Sequence, residues 1–398
     1  MTQVVAQCCL LLVVYAYGLF PLFVHFRGRL FRKPWHTADI SPTVSIIIIC
    51  HNEAAHIEKK LRNVLSLDYP FDATEVIVAS DGSDDGTDDI VRLFGDRRVT
   101  VLSFSRRGKI PALNDAVRMA SGEILVFSDA NSQFASDALR MLTRHFADPS
   151  IGCVAGNQVY TDDPEAGAAA SGERSYWSFD RSLKFAESVA GNTISATGAI
   201  YAIRRSLFEE VPSGVTDDFT ISTRVIRRGY RIVFDPDAIS REPVAGKPGA
   251  EFRRKVRVMT RGLRAVLTVR DLLNPFRYGF YSLQLFSHKV LRRLVVFPLL
   301  VLLVMSPWLW NAGWFFRALV IAQMAVYLPA LAGCALARTK LGRCRPLSVP
   351  YYFCLVNVAA LVASLNVLCG HKIERWDSHR AGSSLDQAQP TLVGNRSS

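Results

Sequence analysis

Three acidic stations fall in order along the chain: Asp81-Gly82-Ser83, Asp129-Ala130-Asn131 and Asp217-Asp218. Carboxylates grouped in space suit a divalent cation, which takes oxygen ligands, and a general base, which takes a proton. Each station lies at or beside the end of an apolar run that reads as a buried strand or its flank. A parallel α/β sheet collects residues at the carboxyl ends of its strands, so carboxylates far apart in sequence can meet in one crevice.

The local readings differ in sharpness. Asp81 to Thr87 joins a strand to a helix; it either offers a carboxylate to a base or ribose, or is an Asp/Gly turn with a helix cap. It is no dinucleotide fingerprint, because the G-x-G-x-x-G order is missing. In Phe127-Ser128-Asp129-Ala130-Asn131, alternate residues share a face, so Asp129 and Asn131 can present oxygen to one Mg²⁺ or Mn²⁺; the plainer reading is an Asx turn capping a helix at Ser136. Arg106-Arg107-Gly108-Lys109 opens a helix and suits a diphosphate, or is a solvated basic loop. In Thr216-Asp217-Asp218-Phe219 two adjacent carboxylates repel, which suits one of them to proton transfer; Asp217 also fits a helix N-cap. Arg253, Arg254 and Arg257 occupy one region of a helix and suit a leaving diphosphate or anionic lipid. Cys50-His51-Asn52-Glu53 has no partner cluster that would complete a metal site.

The elements that must position these residues follow from hydrophobic spacing. Apolar runs at 44–49, 75–79, 99–104 and 123–127 alternate with helical patterns at 57–65, 87–94 and 110–120, which predicts βαβ units and a mostly parallel sheet. Farther on, 172–189 reads as helix, 193–203 as extended, 219–228 as helix and 231–234 as a short strand. Residues 252–269 form a strongly basic helix. Residues 276–293 mix aromatics with Lys and Arg, as a helix in a membrane interface does.

Hydrophobic residues make up 49% of the 398 but are unevenly spread. Residues 4–26 are nearly uncharged and long enough to cross a bilayer, and three further stretches lie at 294–310, 318–337 and 349–369. No small-residue cleavage site follows the first stretch, so it reads as a retained helix rather than a signal peptide. Arg27, Arg29, Arg32 and Lys33 follow it, Arg292 and Arg293 precede the second, and Arg338, Lys340, Arg343 and Arg345 separate the last two. The positive-inside rule then places the middle domain in the cytosol of a multi-pass protein of the cell membrane. Lys372, Arg375 and Arg380 in the tail fit that topology poorly. Much of the net charge of +12 flanks these stretches, which points to lipid headgroups and away from nucleic acid. Eight scattered cysteines without a C-x-x-C pair exclude a disulfide framework or zinc ribbon.

Taken together, Cys50-His51-Asn52-Glu53, Ser80-Asp81-Gly82-Ser83, Gly108-Lys109 with Ala112-Leu113-Asn114, Asp129-Ala130-Asn131, Gly198-Ala199, Thr216-Asp217-Asp218 and Arg254-x-x-Arg257 resemble a family 2 glycosyltransferase. More narrowly, they are similar to the membrane-integrated branch that contains cellulose, hyaluronan and poly-N-acetylglucosamine synthases. The resemblance implies a GT-A (Rossmann-like) fold at 43–270, after a transmembrane helix at 1–26. An amphipathic interface helix at 271–293, about three membrane helices at 294–370 and a disordered polar tail at 371–398 complete the expected plan. It implies a nucleotide-sugar donor, UDP-linked by analogy, and inversion at the anomeric carbon. Carried over, Asp81 contacts the base with Glu53 nearby, Lys109 lies by the diphosphate, Arg254 and Arg257 serve the donor, Asp129 and Asn131 hold Mg²⁺ or Mn²⁺, and Asp218 beside Asp217 deprotonates the acceptor.

Three positions depart from the pattern. Asn131 stands where the family has a second aspartate, Val258 replaces the tryptophan that helps hold acceptor sugar in processive synthases, and Asp217 replaces a glutamate. The implied product is a polysaccharide or lipid-linked glycan, with membrane lipid and export or accessory subunits as partners. The alternatives are a transferase adding one sugar to a polyprenyl phosphate or glycolipid, and a non-catalytic export scaffold. The cores of the membrane stretches hold hardly any ionisable residues, which disfavours a solitary pore.

Overall fold

The structure is a computed structural model that describes residues 1–161, 168–243, 248–337 and 339–371. Arg338 and all of the expected tail beyond His371 lie outside the described residues.

Strand β1 (Val44–Cys50) reads VSIIIIC and is buried at all seven positions. A β-branched run of this kind belongs in the middle of a sheet covered on both faces. Its alternation divides the core: Ile47 and Ile49 pack with the helix Lys109–Met119, while Ile46 and Ile48 pack with Ile57, Leu61 and Val64 of the helix Ala54–Leu65. β2 (Thr74–Asp81) and β4 (Ile124–Asp129) pair in parallel on either side of β1, and β3 (Val99–Phe104) pairs in parallel outside β2. At the carboxyl ends Cys50 lies opposite Ser80 and Ile49 opposite Asp129. Asp81 and Asp129 thus flank the end of β1, two strand spacings (about 10 Å) apart across the sheet, with Asp81 two residues farther along.

Beyond β4 the sheet becomes mixed. β5 (Gln133–Phe134), β6 (Ile151–Thr161), β7 (Tyr201–Arg204) and β8 (Arg231–Pro243) complete an eight-stranded sheet of order β3-β2-β1-β4-β7-β6-β8-β5. β7 runs antiparallel to β4, with Tyr201 opposite Phe127. The extended stretch expected at 193–203 is therefore mostly loop, and only four residues of β7 are strand. That loop enters at the carboxyl end of β4 and brings Gly198 to Asp129. β8 is longer than the four residues expected; it passes Pro236 and pairs in parallel with β6 across a register shift between Ala155 and Asn157, an irregularity where a strand proline is tolerated.

Among the described residues, three helices are long and apolar enough to cross a membrane: Thr2–Leu30, Trp314–Ala335 and Arg345–Leu368; a bent pair, Phe280–Leu294 with Val296–Leu309, makes a fourth if counted as one span. The first carries a π turn at Tyr15–Leu19, just before Pro21, whose missing N–H disturbs the regular ladder. Its far end packs on the helix Ala168–Ala190, where a β-carbon at Gly28 would meet the carbonyl oxygen of Ala186 at 2.9 Å. The interface helix expected over 276–293 is broken. Gly279, at φ 54 and ψ −130, separates Pro275–Tyr278 from Phe280–Gln284, and a second π turn spans Leu285–Leu291. The two π turns meet, for Tyr15 and Ser287 share a hydrogen bond of 2.9 Å.

The segment between the first helix and β1 is tied down by a buried relay. Trp35 Nε1 donates to His145 Nδ1 at 2.7 Å, and His145 Nε2 lies 2.6 Å from Asp235 Oδ2. An indole N–H only donates, so Nδ1 is the acceptor and the imidazole proton sits on Nε2, facing the carboxylate. Replacing Trp35 with Phe keeps the ring but leaves a buried acceptor unsatisfied; chemical denaturation is expected to show a loss of about 1–3 kcal/mol.

Candidate active site

The site begins with a carboxylate that organises a loop. Asp81, 1% exposed at the end of β2, accepts from the backbone N–H of Arg107 at 2.7 Å and of Gly108 at 2.9 Å. Gly82 makes the approach possible: at φ +67, a β-carbon there would sit 2.7 Å from the amide nitrogen of Arg106. Gly108, at φ 97, caps the helix Lys109–Met119. The turn so fixed aims Lys109 along the sheet edge.

Lys109 joins two of the acidic stations. Its Nζ lies 2.9 Å from Asp217 Oδ2 and 3.5 Å from Asp129 Oδ1. Asp217 and Asp218 occupy the first turn of the helix Asp217–Arg227, where the N-terminal dipole favours negative charge. Thr216, not Asp217, is the N-cap, and it makes no side-chain cap. Gly198 completes the geometry: a β-carbon there would lie 3.7 Å from both Asp129 Oδ2 and Asp218 Oδ2. The two carboxylates thus face one small space that any side chain would fill.

Electrostatics separate the neighbours. Burial, and next the charge of Asp217, push the carboxyl of Asp218 up to about 6. Burial also raises Asp217, but the Lys109 ammonium outweighs it and holds that group below the usual range. Burial would lower Lys109, yet Asp217 and then Asp129 reverse this and raise it. The arrangement is one fixed ion pair beside one carboxylate near the point of accepting a proton.

The cavity around this cluster holds about 620 Å³ and is lined by Lys109, Asp129, Asp217 and Asp218, and also by Arg254, Arg257 and Val258. Three predicted residues lie off its wall. Asp81 is occupied with the amides above. Glu53, 6% exposed, has Oε2 2.9 Å from His56 Nδ1. Asn131, 7% exposed, has an amide nitrogen with no hydrogen-bond partner among the described residues. No group of three His, Cys, Asp or Glu side chains forms a metal cage among the described residues. The residues fit a cation of the Mg²⁺ kind, which uses one or two carboxylates and completes its shell with substrate phosphate and water; the carboxylate open to the cavity beside Gly198 is that of Asp129.

Several contributors escape motif reading. Lys60 is wholly buried and donates to Ser128 Oγ at 2.6 Å and to the carbonyl of Ser132 at 2.8 Å, bracing the loop that carries Asp129 and Asn131. Burial lowers its ammonium to about 7. Its spacing was the available signal, since it sits three residues after Ile57 and four before Val64 on the apolar face. Glu242 and Gln158, linked at 2.7 Å, also line the cavity, as does Tyr17 of the first helix. Nothing local marks them.

Residues 45–212 match the family model for glycosyl transferase family 2. The poly-β-1,6-N-acetyl-D-glucosamine synthase of Staphylococcus aureus (strain COL) is 27% identical over 267 residues, which are 65% of this chain and 63% of the relative. That of Staphylococcus epidermidis is 28% identical over 251 residues, 61% of this chain and 59% of the relative. The chain thus spans under two thirds of the length of these curated relatives. Among solved structures, mannosyltransferase PcManGT from Pyrobaculum calidifontis, in complex with GDP-Man and Mn²⁺, aligns with a TM-score of 0.67 at 25% identity, covering 92% of this chain and all of that one. With a mixed sheet of the GT-A type, flanking apolar helices and this site, the chain carries a family 2 glycosyltransferase domain and resembles the poly-N-acetylglucosamine synthases.

Proposed function

We propose that the protein is a membrane-bound inverting glycosyltransferase that moves a sugar from a nucleoside-diphosphate donor to an acceptor hydroxyl. The observation that carries this reading is the meeting of Lys109, Asp129, Asp217 and Asp218 around the space beside Gly198. Asp218 is the base: the acceptor oxygen attacks the anomeric carbon, its proton passes to the Asp218 carboxylate, and the bond to the diphosphate breaks on the opposite face. Lys109, kept charged by Asp217, offsets charge on the departing nucleoside diphosphate. Asp129, backed by Asn131, would hold Mg²⁺ or Mn²⁺, which when bound supplies Lewis-acid neutralisation of the diphosphate oxygens.

Asp81 and Glu53 belong to the nucleoside end of the crevice, with Asp81 acting through the loop it orders. Arg254 and Arg257 face the diphosphate. The likeness to poly-N-acetylglucosamine synthases supports a UDP-sugar, and the presence of GDP-Man and Mn²⁺ in the PcManGT complex supports a nucleoside-diphosphate sugar and a divalent cation. The positive flanks of the apolar helices support a multi-pass topology with a cytosolic catalytic domain. Accessory or export subunits would join a polymer-forming version of this reading. One observation favours single addition instead: Val258, 44% exposed, lines the cavity where processive synthases present an indole to the acceptor sugar.

Asp218→Asn is expected to cut sugar transfer by roughly 10²–10⁴-fold, as removal of a general base does, while donor binding persists. Turnover at the wild-type rate in purified Asp218→Asn protein would end the assignment. With Asp218 raised to about 6, the rate should fall as pH drops through that value, because the protonated carboxyl accepts no proton. Asp217→Asn removes the repelling neighbour and should move that acid limb to lower pH in a pH–rate profile. EDTA should abolish transfer, and Mg²⁺ or Mn²⁺ should restore it.

A further inference from the structure

Almost every cation on the cavity wall is already engaged. Lys109 holds Asp217, Lys184 pairs with Asp180 at 3.2 Å, and Arg254 and Lys255 share Glu251 at 2.9 and 3.2 Å. The four other arginines of the wall have partners as well. Lys289 differs. It lines the same cavity, half-buried, yet makes no hydrogen bond and no ion pair among the described residues. What its Nζ meets there is the face of Phe219, 5.8 Å from the ring centroid.

The position of this ammonium is set by its neighbour. His288 Nδ1 lies 2.8 Å from Glu187 Oε1, and its Nε2 lies 3.4 Å from Asp180 Oδ1, so carboxylates clamp the ring from two sides. The π turn Leu285–Leu291 carries both residues, and Lys289 enters the cavity beside that clamp. Phe219, the ring it meets, directly follows Asp218 in the helix Asp217–Arg227. Charge reports the same proximity. Burial and Asp217 raise the Asp218 carboxyl, and Lys289 is among the cations that draw it back down.

An ammonium brings three N–H donors, and in a cavity they are left for whatever enters. The inverting reaction proposed above decides what that is. The acceptor attacks from the face that Asp218 serves, and the diphosphate departs from the other, toward Lys109 and Asp129. A cation beside Asp218 therefore stands on the acceptor's side of the sugar. A hydroxyl oxygen has two lone pairs and one proton. One pair attacks the anomeric carbon and the proton passes to Asp218, which leaves the second pair for a donor.

We propose that Lys289 is a further catalytic residue, which donates a hydrogen bond to the acceptor oxygen while Asp218 takes its proton. This rests on the transferase reading and adds a second residue at the attacking oxygen. The bond aligns the hydroxyl and favours the negative charge that grows on its oxygen as the proton leaves. Lys289 keeps its own protons throughout, so the bonds that form and break are those given above.

The test uses full-length protein in membranes, with UDP-N-acetylglucosamine and GDP-mannose as alternative donors in the presence of Mn²⁺. Two quantities are read: release of nucleoside diphosphate and equilibrium binding of the same donor. Lys289→Met keeps the length of the side chain and removes its N–H groups. Release is expected to fall roughly 10–10²-fold, the worth of one hydrogen bond to a charged group, with donor affinity unchanged. Rates are compared at the top of each pH–rate profile, where Asp218 is ionised in both proteins. A loss that vanishes there would show Lys289 acting only through the charge of Asp218, and would overturn the proposal. Release at the wild-type rate overturns it too, as does donor binding that weakens in step with release. Thermal melting checks the fold, and Lys289→Gln takes the place of an unstable Lys289→Met under the same criteria. If the wild type turns over neither nucleotide sugar, the transferase reading itself falls and this proposal with it.

Discussion

One half-buried ammonium makes the site possible. Two carboxylates adjacent in sequence and partly withdrawn from water repel, and both stay ionised only when a cation offsets them. Lys109 supplies it unequally, for its Nζ pairs with Asp217 Oδ2 at 2.9 Å and acts on Asp218 by charge alone. Asp217 is fixed as its counter-ion, and Asp218 is left with most of the burial penalty. The difference in character between two chemically identical neighbours therefore comes from where one amine points.

That direction depends on the far side of β1. Asp81 contributes by accepting the amides of Arg107 and Gly108, so the loop before Lys109 has one conformation. Gly82 and Gly108 provide the positive φ and close backbone approach the turn requires. On the other side, Lys60 braces Ser128 and Ser132 and so holds the end of β4 that presents Asp129. A buried lysine is costly; its donors are met here by hydroxyl and carbonyl oxygens and by the face of Phe134 at 4.0 Å, with the charges of Asp129 and Glu242 acting on it as well.

Much of this was legible in the sequence because it is local. The β-branched run of β1 and the alternation of strands and helices through β4 announce a parallel sheet, and the acidic stations follow from strand ends. The mixed half was not legible. β7 is four residues long, too short for a periodic signal, and its antiparallel direction is set by the tertiary path of the preceding loop. The register that sets Asp81 and Asp129 either side of β1 is likewise a property of pairing, not of any one segment. Asp81 illustrates the limit of motif reading: its position was evident, but only the fold shows its oxygens already taken by backbone amides. The broken interface helix was hidden for another reason, since its apolar spacing continues through Gly279 and the π turn that follows.

The membrane-side helices also bear on the geometry of the site. Gly198 owes its place between Asp129 and Asp218 to the loop at 193–200, and that loop is pinned from below. Tyr281 donates to the carbonyl of Ile194 at 2.9 Å, Glu187 accepts the Ile194 amide at 3.0 Å, and His288 in the second π turn lies 2.8 Å from the same Glu187. The neighbouring Ser287 meets Tyr15 in the π turn of the first helix. π turns rotate side chains out of the ordinary ladder, and here both irregularities are used to bring Tyr15, Ser287 and His288 to one junction. A continuous run of hydrogen bonds and packed groups therefore leads from the first apolar helix to the space between the carboxylates. A shift of the apolar helices would be felt at Gly198, because the loop that carries it is tied to them.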